Sequence, residues 1–501
     1  MTVSKLLPLF VAMPLTGGFL IALLGRRLKS LPEALGMLVP GGLFALALVV
    51  GRAVLAHGPL FHFMGGWKPP LGIPMVCDGL TAFMLITVYG VASWIALYSV
   101  SYARMYTSTW LYYTLFLFVL AGMSGVVMTG DLFDMFVYME ITSLSACTLV
   151  AFGTERREME AAFKYGVINT LGGLFIIFGI AFLYGSCSTL NMADMAKVLA
   201  ERGAANKAVL LATVFLVVGF GMKAAIVPFH AWLPDAHPSA PAPISAMLSG
   251  LIIKCLGIYA LFRLLFCVLG MTPVLSSVML FLGALSMGTG AFLAIGQQDF
   301  KRLLAYSSLS QIGYIVFGIG LGTPLGIVGG LFHLFNHSVG KSLLFLTSGA
   351  VDYATGTRDL EQLGGLSKRM PVTSRAGMAG AMSIAGIPPF GGFWSKLLII
   401  FAAVQAGHFA YAAWAVLAGV LTLGYLTKAL KQVFQGPLPD RWRAVEEVPA
   451  PMQIAMIALA LVCLGGGLLF LPGIRGLFIG PASKVLLNGT AYAKIFGGTL
   501  G

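Results

Sequence analysis

The sequence predicts an all-α polytopic membrane protein of about fourteen transmembrane helices, built as two inverted five-helix repeats and interrupted by two broken helices. Three observations carry that prediction. First, 58% of the 501 residues are hydrophobic, only 10% are charged, and mean hydropathy is +0.92, whereas soluble domains carry about 25% charged residues. Second, apolar runs of about 20 residues, long enough to cross a bilayer as helices, follow one another along the whole chain. Third, the chain echoes itself. Pro228, Phe229 and Trp232 recur 161 residues later as Pro389, Phe390 and Phe393, while Gly122, Asp131 and Tyr138 recur 168 residues later as Gly290, Asp299 and Tyr306. Interrupted helices in matching places mark transporters built from internal repeats, and an offset of five helices inverts one half against the other.

The runs fall at 5–25, 33–55, 76–102, 109–129, 131–153, 160–185, 208–232, 240–268, 272–296, 300–321, 325–350, 372–404, 409–434 and 451–472. Arg26, Arg27 and Lys29 follow the first run, whereas a cleaved leader carries its charges in front; it reads as a retained helix. Residues 1–108 hold helices one to three, 109–268 the first repeat, 272–434 the second, and 435–501 a last helix with a glycine-rich surface tail. Prolines break the seventh and twelfth runs, and carbonyls freed this way are tolerated in lipid only where they face protein or water.

The net charge of +13 does not signal nucleic-acid binding, because the basic residues are scattered between apolar runs. Arg104, Arg156, Arg157, Lys301, Arg302, Arg358, Lys368 and Arg369 are among those that fall on one set of alternating loops, which places both termini outside the cytoplasm. The six cysteines are dispersed, with no C-x-x-C, no haem motif and no disulfide pattern, so no redox centre or other cofactor is expected on this chain.

The chemistry concentrates in G-G-L-F-H-L-F-N-H-S-V-G-K-S-L-L-F-L at 329–346, where His333, His337 and Lys341 are spaced by four. On a helix they form one stripe with about 6 Å of rise between neighbours. Ionisable groups at membrane depth cost a few kcal/mol each and face a bundle interior or a hydrated path. A row of them suits proton conduction. A zinc site is disfavoured, since Leu334 stands where the helical metalloprotease motif has glutamate, and no metal is expected. Snorkelling would account for Lys341 near a helix end but not for all three. Glu140 lies mid-helix in F-D-M-F-V-Y-M-E, and its counterpart in the second half is Ser308. Lys223 precedes the first break, Lys254 sits mid-helix and Lys396 follows the second break. Burial weakens an amine's hold on its proton and a nearby carboxylate restores it, so Glu140 and Lys223 are expected to form a switchable pair. Lys254 would take up protons, the stripe would pass them along, and Lys396 would deliver them.

The runs G-D-L-F-D-M-F-V-Y-M-E, M-K-A-A-I-V-P-F-H-A-W-L-P-D-A-H-P-S-A-P with L-S-G-L-I-I-K, and D-F-K-R-L-L-A-Y-S-S-L-S-Q-I-G-Y resemble the antiporter-like subunits. That family comprises large Mrp sodium/proton antiporter subunits, the proton-pumping membrane subunits of respiratory complex I, and their relatives in energy-converting hydrogenases. The resemblance covers helices three to thirteen. It implies fourteen helices in inverted repeats, a prokaryotic plasma membrane, and a conducting role for Glu140, Lys223, Lys254, His333, His337, Lys341 and Lys396. The length and Lys396 are nearest the Mrp D type or the hydrogenase subunit similar to it.

The expected function is therefore proton translocation within a multi-subunit complex. Its partners would be homologous and smaller membrane subunits, with peripheral redox subunits where the complex is redox-driven. Sodium itself is not expected to pass here, because hard cations want clustered oxygens and the internal charges are mostly basic. The competing reading is a stand-alone transporter of an anionic solute, with Lys223, Lys254 and the broken-helix ends as ligands. An enzyme acting on lipids would have only His230 and Asp235 to use, with no nucleophile beside them.

Overall fold

The structure, a computed structural model, describes residues 3–106, 108–202 and 206–496. The chain begins with α1 (Leu9–Leu24) and α2 (Leu31–His57), then a hairpin of β1 (Leu60–Phe63) and β2 (Pro74–Cys77). Next come α3 (Gly79–Tyr102), α4 (Thr109–Met128), α5 (Leu132–Val150) and α6 (Arg156–Cys187). A short amphipathic α7 (Met192–Arg202) precedes α8 (Lys207–Lys223), which stops at the first break, and α9 (Leu233–Ser239) follows it. The helix after the break is continuous from Ala242 to Cys267, formed by α10 (Ala242–Met247), a π-helical stretch (Leu248–Tyr259) and α11 (Ala260–Cys267). The second half holds α12 (Pro273–Ile295), α13 (Phe300–Gly320) and α14 (Pro324–Thr355), then α15 (Pro371–Ala385) and α16 (Gly391–Gln405) on either side of the second break. The chain ends with α17 (Phe409–Phe434), α18 (Ala450–Gly465), α19 (Pro472–Leu477) and α20 (Ile479–Leu487).

Eleven helices among the described residues are long and apolar enough to cross a membrane. The expected spans missing from that set are α8, α14 and the α15–α16 pair, the ones that carry the breaks or the His/Lys stripe. The expectation of fourteen is compatible with this. The layering is inside-out relative to a soluble protein. Every residue of the π-helical stretch is buried, and so are nearly all of α13 and the middle of α14. Large apolar side chains such as Phe19, Leu38, Phe163, Phe178 and Leu461 point outward from the surrounding helices. A ring of apolar helices thus encloses a polar centre, as lipid requires.

The sequence echo extends to the hydrogen bonds. Before α5, Leu132 N donates to Leu190 O and Met192 N to Gly130 O; before α13, Phe300 N donates to Arg358 O and Leu360 N to Gln298 O. Each pair of positions differs by the same 168 residues. Asp131 and Asp299 cap the helices that follow. A Cβ on Gly122 would lie 2.8 Å from Tyr138 O, and one on Gly290 would lie 2.7 Å from Tyr306 O, so only glycine permits these two close approaches. At the breaks, Ile226 N reaches back to Gly221 O and Ile387 N to Met382 O, 161 residues apart. Gly386 takes φ +85° there, whereas its counterpart Ala225 takes φ 54° despite its side chain, a conformation that costs an L-residue roughly 1–2 kcal/mol.

Three expectations need correction. The C-terminal segment is not a surface tail: Ile479, Ala482 and Leu486 are buried, and the Phe478 ring meets Phe83 and Phe335 at 4.9 and 5.3 Å. Only residues 497–501 of that tail lie outside the described residues. Lys301 is no loop charge but is buried, its amine bonded to Ala240 O at 2.7 Å. The seventh run ends as a helix at Lys223 rather than at 232.

The C-terminal segment is anchored beside a buried ion pair that the sequence did not disclose. Arg263 reaches across from α11 to grip Asp78 with Nη1–Oδ2 2.6 Å and Nη2–Oδ1 2.9 Å, and its guanidinium lies over the Tyr492 ring. Asp78 also caps α3, accepting from Leu80 N and Thr81 N. Burial works against the charged carboxylate, but Arg263 and these donors outweigh it and hold Asp78 below the usual carboxylate range.

Candidate functional site: a buried row of amines and imidazoles

All the expected lysines and histidines are buried, and they form three groups. The first is the pair in the N-terminal half. Lys223, at the last turn of α8, places Nζ 2.9 Å from Glu140 Oε1 and 2.9 Å from Ser143 Oγ on α5. The Lys223 side chain is fully enclosed, while that of Glu140 keeps 27% exposure at the rim of the bundle. A cation at a helix C-terminus also meets the negative end of the helix dipole.

The second group joins Lys254 to Lys341 through hydroxyls. The Lys254 amine bonds the carbonyl of Ser249 within the π-helical stretch, and Ser249 Oγ stands 2.7 Å from Ser308 Oγ. Ser308 donates to Leu304 O at 2.8 Å, and Lys341 Nζ donates to that same carbonyl at 3.1 Å. Polar contacts, with backbone carbonyls at either end and a pair of hydroxyls between, thus line the way from one amine to the other. π-turns are rare and cluster at functional sites, and this one carries Lys254.

The third group continues along α14. His337 lies one turn before Lys341, and His333 one turn before that, with 6.4 Å between the imidazole centroids. Among the described residues neither ring nitrogen of His337 has a protein hydrogen-bond partner; buried polar atoms of this kind are where ordered water is found. His333 Nδ1 meets Ser395 Oγ at 3.0 Å. Tyr314 lies between His333 and Lys396, 5.5 Å from the imidazole and 4.8 Å from the Lys396 amine. Lys396 donates to Ile384 O at 2.8 Å and Ala385 O at 3.4 Å. Those carbonyls are the ones that the break after α15 leaves without a helical partner, so the interruption creates the seat for the amine.

The structure therefore brings together Glu140 with Lys223, Lys254 with Lys341, and the histidines with Lys396. It does not hydrogen-bond the first pair to Lys254: between them the π-helical stretch packs on the start of the break, where Gly257 stands against Ala224. Snorkelling is excluded for Lys341, which is 0% exposed in the middle of α14. Sequence reasoning missed Ser143, Ser249, Tyr314 and Ser395. Ser308 was legible as the position matching Glu140, but its role became visible only with Ser249 opposite.

The chain is similar to known membrane proteins in sequence and in fold. A family model described as "NADH:quinone oxidoreductase/Mrp antiporter, TM" matches residues 129–422. The chain is 34% identical to the N-type subunit of the NADH-quinone oxidoreductase of Desulforudis audaxviator, covering 91% of this chain and 93% of that one. It is also 34% identical to the D-type subunit of the Na(+)/H(+) antiporter of Alkalihalophilus pseudofirmus, covering 86% and 87%. Among solved structures it superposes on a chain of the Mrp complex from Dietzia sp. DQ12-45-1b with TM-score 0.89 and 31% identity, covering 99% of both.

Proposed function

The chain belongs to the NADH:quinone oxidoreductase/Mrp antiporter membrane family, and from that premise we propose that it conducts protons along the row from Glu140 to Lys396 as one membrane subunit of a larger ion-translocating complex. The observation that carries this reading is the polar path from Lys254 through Ser249, Ser308 and Leu304 to Lys341, continued by the two imidazoles. Amines and imidazoles can gain and lose protons and hydroxyls both donate and accept, while the carbonyls of Ser249 and Leu304 hold the amines beside those hydroxyls, where water is able to complete a transfer step. The anionic-solute reading finds no support, because the amines of Lys223, Lys254, Lys341 and Lys396 are directed at protein acceptors rather than into an open cavity.

In this reading residues 109–268 and 272–434 are inverted halves, with 1–108 and 435–501 flanking them. Both termini lie outside the cytoplasm of a prokaryotic cell, and membrane partners cover the rim where Glu140 retains its exposure. Glu140 and Lys223 form the switch. Moving the carboxylate away would leave a buried amine with only Ser143 for a partner, and it would shed its proton.

The test is transport by the assembled complex in proteoliposomes, read from a pH-sensitive dye. Glu140→Gln is expected to slow transport by roughly tenfold or more, since the neutral amide cannot switch the Lys223 amine between holding and releasing its proton and positioned proton-transfer groups act on that scale or above. Wild-type transport by an assembled Glu140→Gln complex would remove the pair from the mechanism. Ser308→Ala is expected to have a smaller effect, a slowing of about tenfold at most, matching the roughly 0.5–1.5 kcal/mol of one hydrogen bond. Water is able to take the place of the lost hydroxyl.

A further inference from the structure

A groove of about 720 Å³ lies on the outer wall of the bundle where α2, the start of α3 and the α19–α20 segment meet. Leu48, Arg52 and Leu55 line it from one face of α2, and Phe83 and Ile86 from one face of α3. Gly51 makes the hollow between the two helices, since a Cβ there would come within 3.1 Å of Ile86. Gly79 closes one end: its missing side chain lets Pro481 approach so near that a Cβ would stand 2.6 Å from the Pro481 carbonyl. Among the described residues that line the groove, Arg52 carries the one polar side chain.

With 27 residues, α2 is longer than the roughly 20 that cross the hydrocarbon, so Arg52, about a turn and a half before its end at His57, stands close to headgroup level. Arginine keeps its proton, and a charge at that depth needs a counter-charge. Arg104 has Glu33 and Arg263 has Asp78, but among the described residues no carboxylate pairs with Arg52. Leu48, Leu55 and Leu477 remain exposed around it. What fills the groove must therefore bring an anion and an apolar chain together. A phospholipid does both: its phosphate meets a guanidinium through two parallel hydrogen bonds, and its acyl chain matches the walls. A partner helix would have to carry a carboxylate to the membrane edge to do the same, at the cost that makes such residues rare.

We propose that this groove binds one anionic phospholipid, with the phosphate on Arg52 and an acyl chain over Gly51 between α2 and α3. The lipid also braces the C-terminal segment. Phe478 and Pro481 form the far wall, and the Phe478 ring packs on Phe83 at 4.9 Å. Gly79 follows Asp78, the carboxylate that Arg263 holds. A filled groove thus fixes the segment at the surface, as the Arg263–Asp78 pair fixes it in the interior. The site stands apart from the conducting row and does not depend on it.

The experiment takes the assembled complex in detergent, strips loosely held lipid and titrates it with phosphatidylglycerol or phosphatidylcholine, reading bound lipid by native mass spectrometry. Arg52→Gln removes no protein contact and should assemble. It is expected to hold one phosphatidylglycerol fewer per copy of this chain, its affinity for that lipid falling by roughly tenfold or more, the scale of lost hydrogen bonds to a charged group. Ala56→Trp keeps the arginine but fills the groove that Ala56 lines, and should lose the same lipid. Phosphatidylcholine should bind the site less well, because its choline offsets the phosphate, and inorganic phosphate should not displace the bound lipid. Equal retention by the wild type and Arg52→Gln, full retention by Ala56→Trp, equal binding of phosphatidylcholine, or displacement by inorganic phosphate would each overturn the proposal. So would cross-linking of an Ala56→Cys variant to another subunit, which would put a protein helix in the groove.

Discussion

Alanine at position 254 is expected to reduce proton transport by the assembled complex by roughly a hundredfold or more, the scale at which removing a positioned proton-transfer group acts. Lys254 is 1% exposed, and its amine has a backbone carbonyl as its hydrogen-bond acceptor. Truncation removes the amine where the π-helical stretch meets Ser308 and leaves the Ser249 and Ser308 hydroxyls without a proton carrier on that side. Assembly should survive, because the replaced side chain contributes no ion pair. Lys254→Arg separates two causes of a loss. Arginine restores the charge but does not release its proton, so it should also fail to conduct. A conducting Lys254→Arg variant would show that the position supplies a fixed field, and a conducting Lys254→Ala variant would remove it from the mechanism. The readout in each case is dye quenching in sealed proteoliposomes, with subunit stoichiometry checked on the same sample.

The largest expected effect on stability lies elsewhere. Arg263→Ala leaves the Asp78 carboxylate buried at 2% exposure without its fork of donors, a change that costs about 3–5 kcal/mol in buried pairs. The damage should spread to the C-terminal segment, because the same guanidinium lies over Tyr492 and bonds Tyr259 and Thr81. A lower thermal midpoint and faster proteolysis after residue 470 would be the signs. Replacing both partners, as in Asp78→Leu with Arg263→Met, should cost less than either single change, since no unpaired charge is left behind. A single and a double variant of equal stability would show that the pair is solvated and holds nothing in place.

The parts of this site that were legible in the sequence are those that a helix period or a local break exposes. His333, His337 and Lys341 needed only the spacing of four, and Glu140, Lys223, Lys254 and Lys396 announced themselves as charges in apolar runs. The rest depends on contacts between distant segments. Ser249 and Ser308 are 59 residues apart and of a type common in membrane helices, so nothing local distinguishes them. Lys301 follows Asp299 at the start of a helix and therefore looks like a loop charge, although the chain folds Ala240 over it. The Arg263–Asp78 pair spans 185 residues, and no pattern in either segment points to the other.

The matched hydrogen bonds before α5 and α13 give the third turn of each helix the same backbone address. One address holds Glu140 and the other holds Ser308. The molecule thus supplies a local internal reference: a set of backbone contacts duplicated at these two places, but not in the charge they carry, lets a substitution at one be judged against its twin at the other. What harms both halves alike belongs to architecture; what harms only one belongs to chemistry.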